Sequence, residues 1–585
     1  MRIRLFLLCS AFFIGPTALH ADEPAAKPKV KLAVLLVFDQ LRGDYIDKWQ
    51  PQFSEGGFKR LQTEGAWFTD CHYPYATTST GPGHASILSG TSPYKHGIVN
   101  NEWYDAKAGA PVYCAGLARY QFVPAKPAPK PEPGKPVSTV AKPKLAGTPD
   151  LLLSETVADQ LKIATNGKGK VFGLSLKDRS AILPAGKKPD GVYWFSEKFI
   201  TSNYYRDSLH PWVDAFNKSK QAESYFGKEW SRFKPDLNYE KFAGPDDQIG
   251  EAKGVGQGIK FPHPMDGGKK ELTKTYYDAL ATSPFGNDIL LALAKECIIA
   301  EKLGQDDVPD LLSVSFSSND LVGHAWGPDS HEVLDMTLRS DAIVENFLKF
   351  LDEKVGKGNY SVVVTADHGI CPLPEVSTKR GIDAKRFSPI KLILNAERHL
   401  AKTFGGEELA EEPEPKEGEP ETPKKKNPKR WIEDIAAPNI YLNQRLIKSK
   451  NLDPAKVAEE LAKYLRTQEG IAKAYTRKDL EGTMAKDDAI GIRAQKSYFA
   501  ARSGDVYVVI QPYYLLGSQS TGTSHGTPHA YDTHVPLLAF GPGVVGGKHA
   551  EKVTPQHAAP IMADFLGTKP PADCEYAVPT TLKKK

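Results

Sequence analysis

Cysteine is scarce in this chain. Six occur among 585 residues, none of them spaced as CxxC, which excludes a thiolate metal site as the organising feature. Cys9 lies in the opening apolar run. Cys71, Cys114, Cys297, Cys371 and Cys574 form an odd set that allows one or two disulfides in an oxidising compartment. Past the N-terminus no stretch approaches the roughly 18 consecutive apolar residues of a membrane-spanning helix, so a helical membrane protein is excluded as well. A charge surplus is also lacking, since 75 Lys and Arg stand against 71 Asp and Glu for a net +4. That balance argues against nucleic acid as the main partner. No internal repeat is present.

What the chain does have begins with MRIRLFLLCSAFFIGPTALHADEP. Two arginines, an apolar run from Leu5 to Ile14 and small residues up to Ala21 are the layout of a secretory signal peptide, with cleavage expected after Ala21. The mature chain is then expected to be a soluble periplasmic or secreted protein. With 40% hydrophobic and 25% charged residues it has the composition of a globular protein. Nothing in it specifies an oligomer, and a monomer is compatible with the pattern.

Five segments share one design, an apolar β-branched run that stops abruptly at polar residues. They are VKLAVLLVFDQ (ending at Asp39), KVFGLSLKDR (Lys177, Arg179), PDLLSVSFSSNDLVGH (Asp320, His324), YSVVVTADHG (Asp367, His368) and THVPLLAFGPG. Continuous hydrophobicity predicts strands buried on both faces. Helical patterns alternate with them at 150–164, 285–304, 331–356 and 454–470. The expected fold is therefore α/β, a mostly parallel central sheet flanked by helices. Ligands of such sheets bind beyond the carboxyl ends of the strands, where four of the five segments carry their chargeable residues.

Two stretches, 124–144 and 405–429, are rich in Pro, Lys and Glu and predict exposed insertions without a packed core. Residues 190–284, rich in Tyr, Trp and Pro without clear period, predict an irregular cap inserted near the site. The remainder, 22–585, reads as a single catalytic domain.

Asp39, Asp320, His324, Asp367 and His368 offer oxygen and imidazole donors of the kind zinc accepts. Singly, a strand-end Asp caps a helix or solvates a loop; five together at strand ends point to metal. A further imidazole would complete two sites, and STGTSHGTPHAYDTHVPLLAFG supplies His525, His529 and His534. His525, in a Gly-rich loop where backbone and metal can approach closely, is preferred.

In TSTGPGHASILSG, Pro82 suits the first turn of a helix and Gly90 its end. A hydroxyl at that helix N-terminus would face unpaired N–H groups that attract a phosphate. Thr78, Ser79 and Thr80 are equally suited to capping, and the stretch alone does not choose between capping and catalysis.

With Asp39, Thr80, Asn101, Lys177-x-Arg179, Asp320-x-x-x-His324, Asp367-His368-Gly369 and His525-Gly526 in this order, the chain resembles the alkaline phosphatase superfamily. The branch is that of type I phosphodiesterases/nucleotide pyrophosphatases and PafA-type alkaline phosphatases, and the likeness runs over about 31–545. The resemblance implies an alkaline phosphatase-like core, Thr80 as nucleophile in Thr80-Gly81-Pro82-Gly83-His84, and two zinc ions. One would be held by Asp39, Thr80, Asp367 and His368, the other by Asp320, His324 and His525.

A threonine hydroxyl is a weak nucleophile near neutral pH, and a divalent ion beside it favours its alkoxide. Two such ions are neutralised by the three carboxylates and that alkoxide. Lys177 and Arg179, two apart and able to point the same way if extended, then add the positive charge a phosphomonoester dianion requires. The resemblance likewise implies that Asn101, Lys177 and Arg179 bind nonbridging phosphoryl oxygens. The expected function is hydrolysis of small phosphate monoesters through a phosphothreonine. The alternative is a phosphodiesterase or nucleotide pyrophosphatase using the same groups. A sulfatase would carry Cys or Ser where Thr80 stands, and a non-catalytic binding protein would not need the full donor set.

Overall fold

The computed structural model of the protein describes residues 27–125, 145–406, 429–517 and 520–582. The segment read as a signal peptide, 1–21, and nearly all of 124–144 and 405–429 lie outside the described residues.

Ten strands make one sheet: β1 Leu32–Phe38, β2 Ala66–Cys71, β3 Phe122–Val123, β4 Val171–Ser175, β5 Gly191–Phe195, β6 Phe199–Ser202, β7 Asp310–Phe316, β8 Tyr360–Thr365, β9 Leu537–Phe540 and β10 Gly547–Val553. Their spatial order is β10-β2-β9-β8-β1-β7-β4-β5-β6-β3. In β1, β4, β7 and β8 every residue is buried, which is why each reads as an unbroken apolar run. β1 pairs parallel with β7 and β8, β7 with β4, and β4 with β5. The register sets Val37 level with both Ser315 and Thr365, and Ser315 level with Ser175. The polar residues at the ends of these strands therefore emerge along one edge.

The fifth expected strand, β9, runs antiparallel to β8, and β2 runs antiparallel to β9. The reason lies in the loop before it: the chain reaches β9 from His525, which sits at the carboxyl edge, so the strand must run back from that edge. The result is a mixed sheet with a parallel centre.

Helices flank the sheet: α1 Thr80–Ser89, α2 Val157–Ala164, α3 Asp178–Ala185, α4 Pro284–Glu301, α5 Ser318–Trp326, α6 His331–Leu351, α7 Pro389–Phe404 and α8 Pro454–Leu465. α2 starts later than its apolar pattern because Thr156 and Asp159 form a capping box. In α6, Ser330 caps through Val333 N. In α8, Asp453 accepts from Ala455 N, and Val457, Leu461 and Leu465 face the core at helical spacing.

The cap expected at 190–284 begins differently. Its first residues, GVYWF and FITS, are β5 and β6, an antiparallel hairpin continuing the main sheet. Residues 203–283 are largely irregular, with short helices joined by loops. They are pinned to α6 and α5 by bonds from Trp230 Nε1 and Phe233 N to Asp335 (2.8 and 2.6 Å) and from Ala252 N to Ala325 O (2.8 Å).

Between β8 and β9 the chain builds a smaller α/β unit. Strands Ile432–Ala436, Asn439–Leu442, Val506–Ile510 and Ile471–Thr476 form an antiparallel sheet in that order. α7 and α8 cover it around a separate core that includes Leu400, Trp431, Leu461 and Val506. The cysteines Cys71, Cys114, Cys297, Cys371 and Cys574 are free thiols. Among the described residues no helix is long and apolar enough to cross a membrane.

Candidate active site and metal centre

The turn after β1 places Asp39 at the carboxyl edge, fully buried. Beside it come Asp367 and His368 after β8, and Asp320 and His324 from the first and second turns of α5. The Gly-rich loop returns His525 over them. The rings of His368 and His525 stack, and His324 lies 5.0 Å from His525, centroid to centroid.

All three imidazoles follow one rule. Nδ1 of His324, His368 and His525 meets the carbonyl oxygens of Thr523, Gly369 and Thr78 at 2.7, 2.9 and 2.9 Å. A carbonyl can only accept, so each Nδ1 carries the proton and donates it. Each Nε2 points at carboxylate oxygens. His324 and His525 stand 3.2 and 3.5 Å from Asp320 Oδ1. His368 stands 3.5 and 3.4 Å from Asp39 Oδ1 and Asp367 Oδ2. For His368 and His525, whose rings burial keeps neutral, acceptor faces acceptor, which is unfavourable unless a cation lies between them. Asp39 Oδ1 and Asp367 Oδ2 are moreover buried without a hydrogen-bond partner. The donors fit divalent ions: Asp39, Asp367 and His368 converge as one triplet, Asp320, His368 and His525 as another. His324 approaches through Asp320, and His368 is common to both triplets.

The crowded charges set the protonation states: burial works against a charged His324, but Asp320 raises its pKa above the ordinary value. Burial and the Asp367 charge drive the Asp39 pKa well above the ordinary carboxylate range. Burial also works against ionised Asp367, yet His368 and His84 hold its pKa down. Asp320 is lowered against its burial by His324 and Lys177. Burial, His368 and His324 push the His525 pKa well below the ordinary value, keeping its ring neutral.

Thr80 opens α1, and its neighbours explain why it alone faces the site. Thr78 Oγ1 donates to Thr527 O (2.8 Å) and Ser79 Oγ to Asn100 Oδ1 (2.8 Å). Neither caps the helix. Thr80 Oγ1 lies 3.4 Å from both His368 Nε2 and Arg179 Nη2. Gly90, with φ 69°, ends the helix in the left-handed region.

Lys177 and Arg179 reach the site by another route than extended geometry. Lys177 is extended, but Arg179 is already in the first turn of α3. The Lys177 ammonium bridges Asp39 Oδ2 and Asp320 Oδ2 at 2.7 and 2.5 Å, while Arg179 turns toward Thr80. Burial disfavours the Lys177 charge, but Asp320 and Asp39 raise its pKa. Asn101 Oδ1 accepts from Gly81 N at 2.7 Å, so its amide group is steadied at the start of α1.

Two residues escaped the sequence reading. Gln40 donates from Nε2 to Asp320 Oδ1 (2.6 Å) and from its backbone N to Asp367 Oδ1 (3.1 Å), tying two strand ends together. It does so at φ 70°, a conformation its sequence does not advertise. His84, fully buried, bonds Thr80 O (2.9 Å) and Ser315 Oγ (2.7 Å), anchoring α1 over β7; its only signal was its place in the Thr80 motif.

The fold and the site together define a hydrolase of phosphate esters on the alkaline phosphatase-like α/β scaffold. The chain belongs to the type I phosphodiesterase / nucleotide pyrophosphatase family, whose profile matches residues 33–532. It is 32% identical to alkaline phosphatase PhoV of Synechococcus elongatus over 600 residues, covering 100% of both chains. To alkaline phosphatase PafA of Elizabethkingia meningoseptica it is 32% identical over 557 residues, with 94% of this chain and 93% of that one covered. The crystal structure of wild-type PafA superposes with a TM-score of 0.82 at 31% identity, covering 95% of this chain and 99% of that one.

Proposed function

We propose that this protein is an exported alkaline phosphatase, hydrolysing phosphate monoesters through a phosphothreonine at Thr80. The single observation that carries the reading is the position of Thr80 Oγ1. It lies 3.4 Å from His368, which belongs to both donor triplets, and 3.4 Å from the cationic Arg179.

Asp39, Thr80, Asp367 and His368 would hold one zinc ion, and Asp320, His324 and His525 the other. When bound, the ions supply an alkoxide-favouring charge at Thr80 and screen the negative charge of the reacting oxygens. Thr80 Oγ attacks phosphorus, the ester P–O bond breaks, and the alcohol departs with a proton. Water then cleaves the phosphothreonine, returning the hydroxyl and releasing phosphate. Arg179 and the Asn101 amide bind nonbridging oxygens through the transition state. Lys177, whose ammonium here compensates Asp39 and Asp320, supplies the further positive charge that favours a dianion over a diester monoanion.

Export rests on the layout of residues 1–21. The test is a panel of monoester and diester substrates on metal-analysed protein, before and after the double change Lys177→Ala/Arg179→Ala. Monoesterase kcat/KM is expected to fall about a hundredfold or more, with diesterase activity falling far less. An equal loss on both, or a wild type that favours diesters, makes the protein a phosphodiesterase instead.

A further inference from the structure

A cavity of about 400 Å³ opens directly off the site. Asn101, His324 and His525 contribute to its lining, together with Ile393 of α7, Val508 of the strand Val506–Ile510, and Leu516. The apolar part of the lining thus comes largely from the smaller α/β unit, and none of it from the 190–284 segment. Among the described residues no Asp, Glu, Lys or Arg lines the cavity. Ile393 and Val508 pack in part against the smaller unit's core, yet they and Leu516 are only half-buried and keep apolar surface in the lining of this space. A volume in this range with apolar walls and a few polar groups at one end suits a small apolar ligand.

Its direction relative to Thr80 is informative. Thr80 Oγ1 lies 3.4 Å from His368 Nε2, whose ring stacks on that of His525, and it is His525 and His324, not Thr80 or His368, that line the cavity. Attack by Thr80 expels the leaving oxygen from the opposite side of phosphorus. In the reading above Thr80 belongs to one donor set and His324 and His525 to the other, so the leaving oxygen departs toward the set that lines the cavity.

We infer that the cavity is a leaving-group pocket and that the protein prefers phosphate monoesters of apolar alcohols, aryl-bearing or alkyl, over those of small polar or highly charged alcohols. The inference rests on the phosphomonoesterase reading above. Burying a phenyl group against Ile393, Val508 and Leu516 removes apolar surface from water on both partners. A charged leaving group would lose its hydration there without gaining a partner.

The experiment compares 2-phenylethyl phosphate with ethyl phosphate on the metal-loaded full chain. The two alcohols leave with similar basicity, so their kcat/KM ratio reports contact beyond the ester oxygen. The wild type is expected to favour the phenylethyl ester by about tenfold or more, mainly through KM. Ile393→Glu is expected to bring the ratio near one. Ile393→Trp, which fills the space without adding charge, is expected to lower it too and serves if the first variant fails to fold. A wild-type ratio near one, or a ratio that neither variant changes, overturns the pocket while leaving the phosphatase reading intact. If the wild type hydrolyses neither ester, the phosphatase reading falls and the pocket falls with it.

Discussion

The imidazole of His368 lies face to face with that of His525, centroids 3.5 Å apart and planes 14° apart. Two like rings stack this closely at neutral charge, and burial keeps both pKa values below the ordinary histidine value. With each Nδ1 proton committed to a backbone carbonyl, both Nε2 lone pairs are open to divalent ions. On the two-zinc reading proposed above, His525→Ala is expected to lose one of the two ions, with at least about tenfold weaker retention, while the other stays. Metal analysis after dialysis checks this, and two retained ions would remove His525 from the donor set.

Thr80 stands apart from the hydroxyls beside it because only its oxygen faces the donors. Thr80→Ala is expected to lower kcat by about a thousandfold or more, and Thr80→Ser to keep measurable turnover through an equivalent oxygen. Quenched-flow labelling with a radioactive phosphate ester reads the covalent step directly, with label expected on the wild type and absent from the alanine variant.

Gly83 shows how tightly α1 is seated. A Cβ there would stand 2.3 Å from the Asp367 carbonyl oxygen and 2.7 Å from the Asp367 Cβ. Backbone cannot yield as a flexible side chain would, so Gly83→Ala is expected to cost about 1–3 kcal/mol and to displace Asp367. A lowered thermal midpoint together with lost activity is the expected pair of readings.

His96, away from the site, sets an acid limit on stability. It is fully buried; Nδ1 accepts from Ile98 N at 3.1 Å, and Nε2 lies 3.0 Å from Ser86 Oγ. Burial, then Arg502, pushes its pKa from 6.5 down to about 3. A folded value below the unfolded one means the unfolded chain takes the proton first as pH falls. The stabilisation is whole above pH 6.5 and is lost toward pH 3, at roughly 1.4 kcal/mol per pH unit. Between pH 7 and 5, His96→Gln is expected to lose about 2 kcal/mol less than the wild type in urea unfolding.

The carboxyl edge of the sheet was legible because four buried strands end in chargeable residues, and a strand buried on both faces cannot hide that pattern. Asp39, Asp320 and Asp367 could be placed together for the same reason. The smaller α/β unit was not legible beyond α8. Its strands are short, and IEDIA and IAKAYT mix charge into the run, so no period stands out. β5 and β6 were lost among aromatics that serve a sheet edge and a loop equally well.

By itself the sequence determined which chemical groups the protein would own and which of them would crowd one edge, because burial and strand period are local properties. Which of three adjacent hydroxyls faces the donors, that His368 belongs to both donor triplets, and that apolar residues of the smaller unit line the cavity beside them were decided only by tertiary structure. Those are distances between residues far apart in the chain, set by how the sheet, α1 and the smaller unit pack together, and no local pattern encodes them.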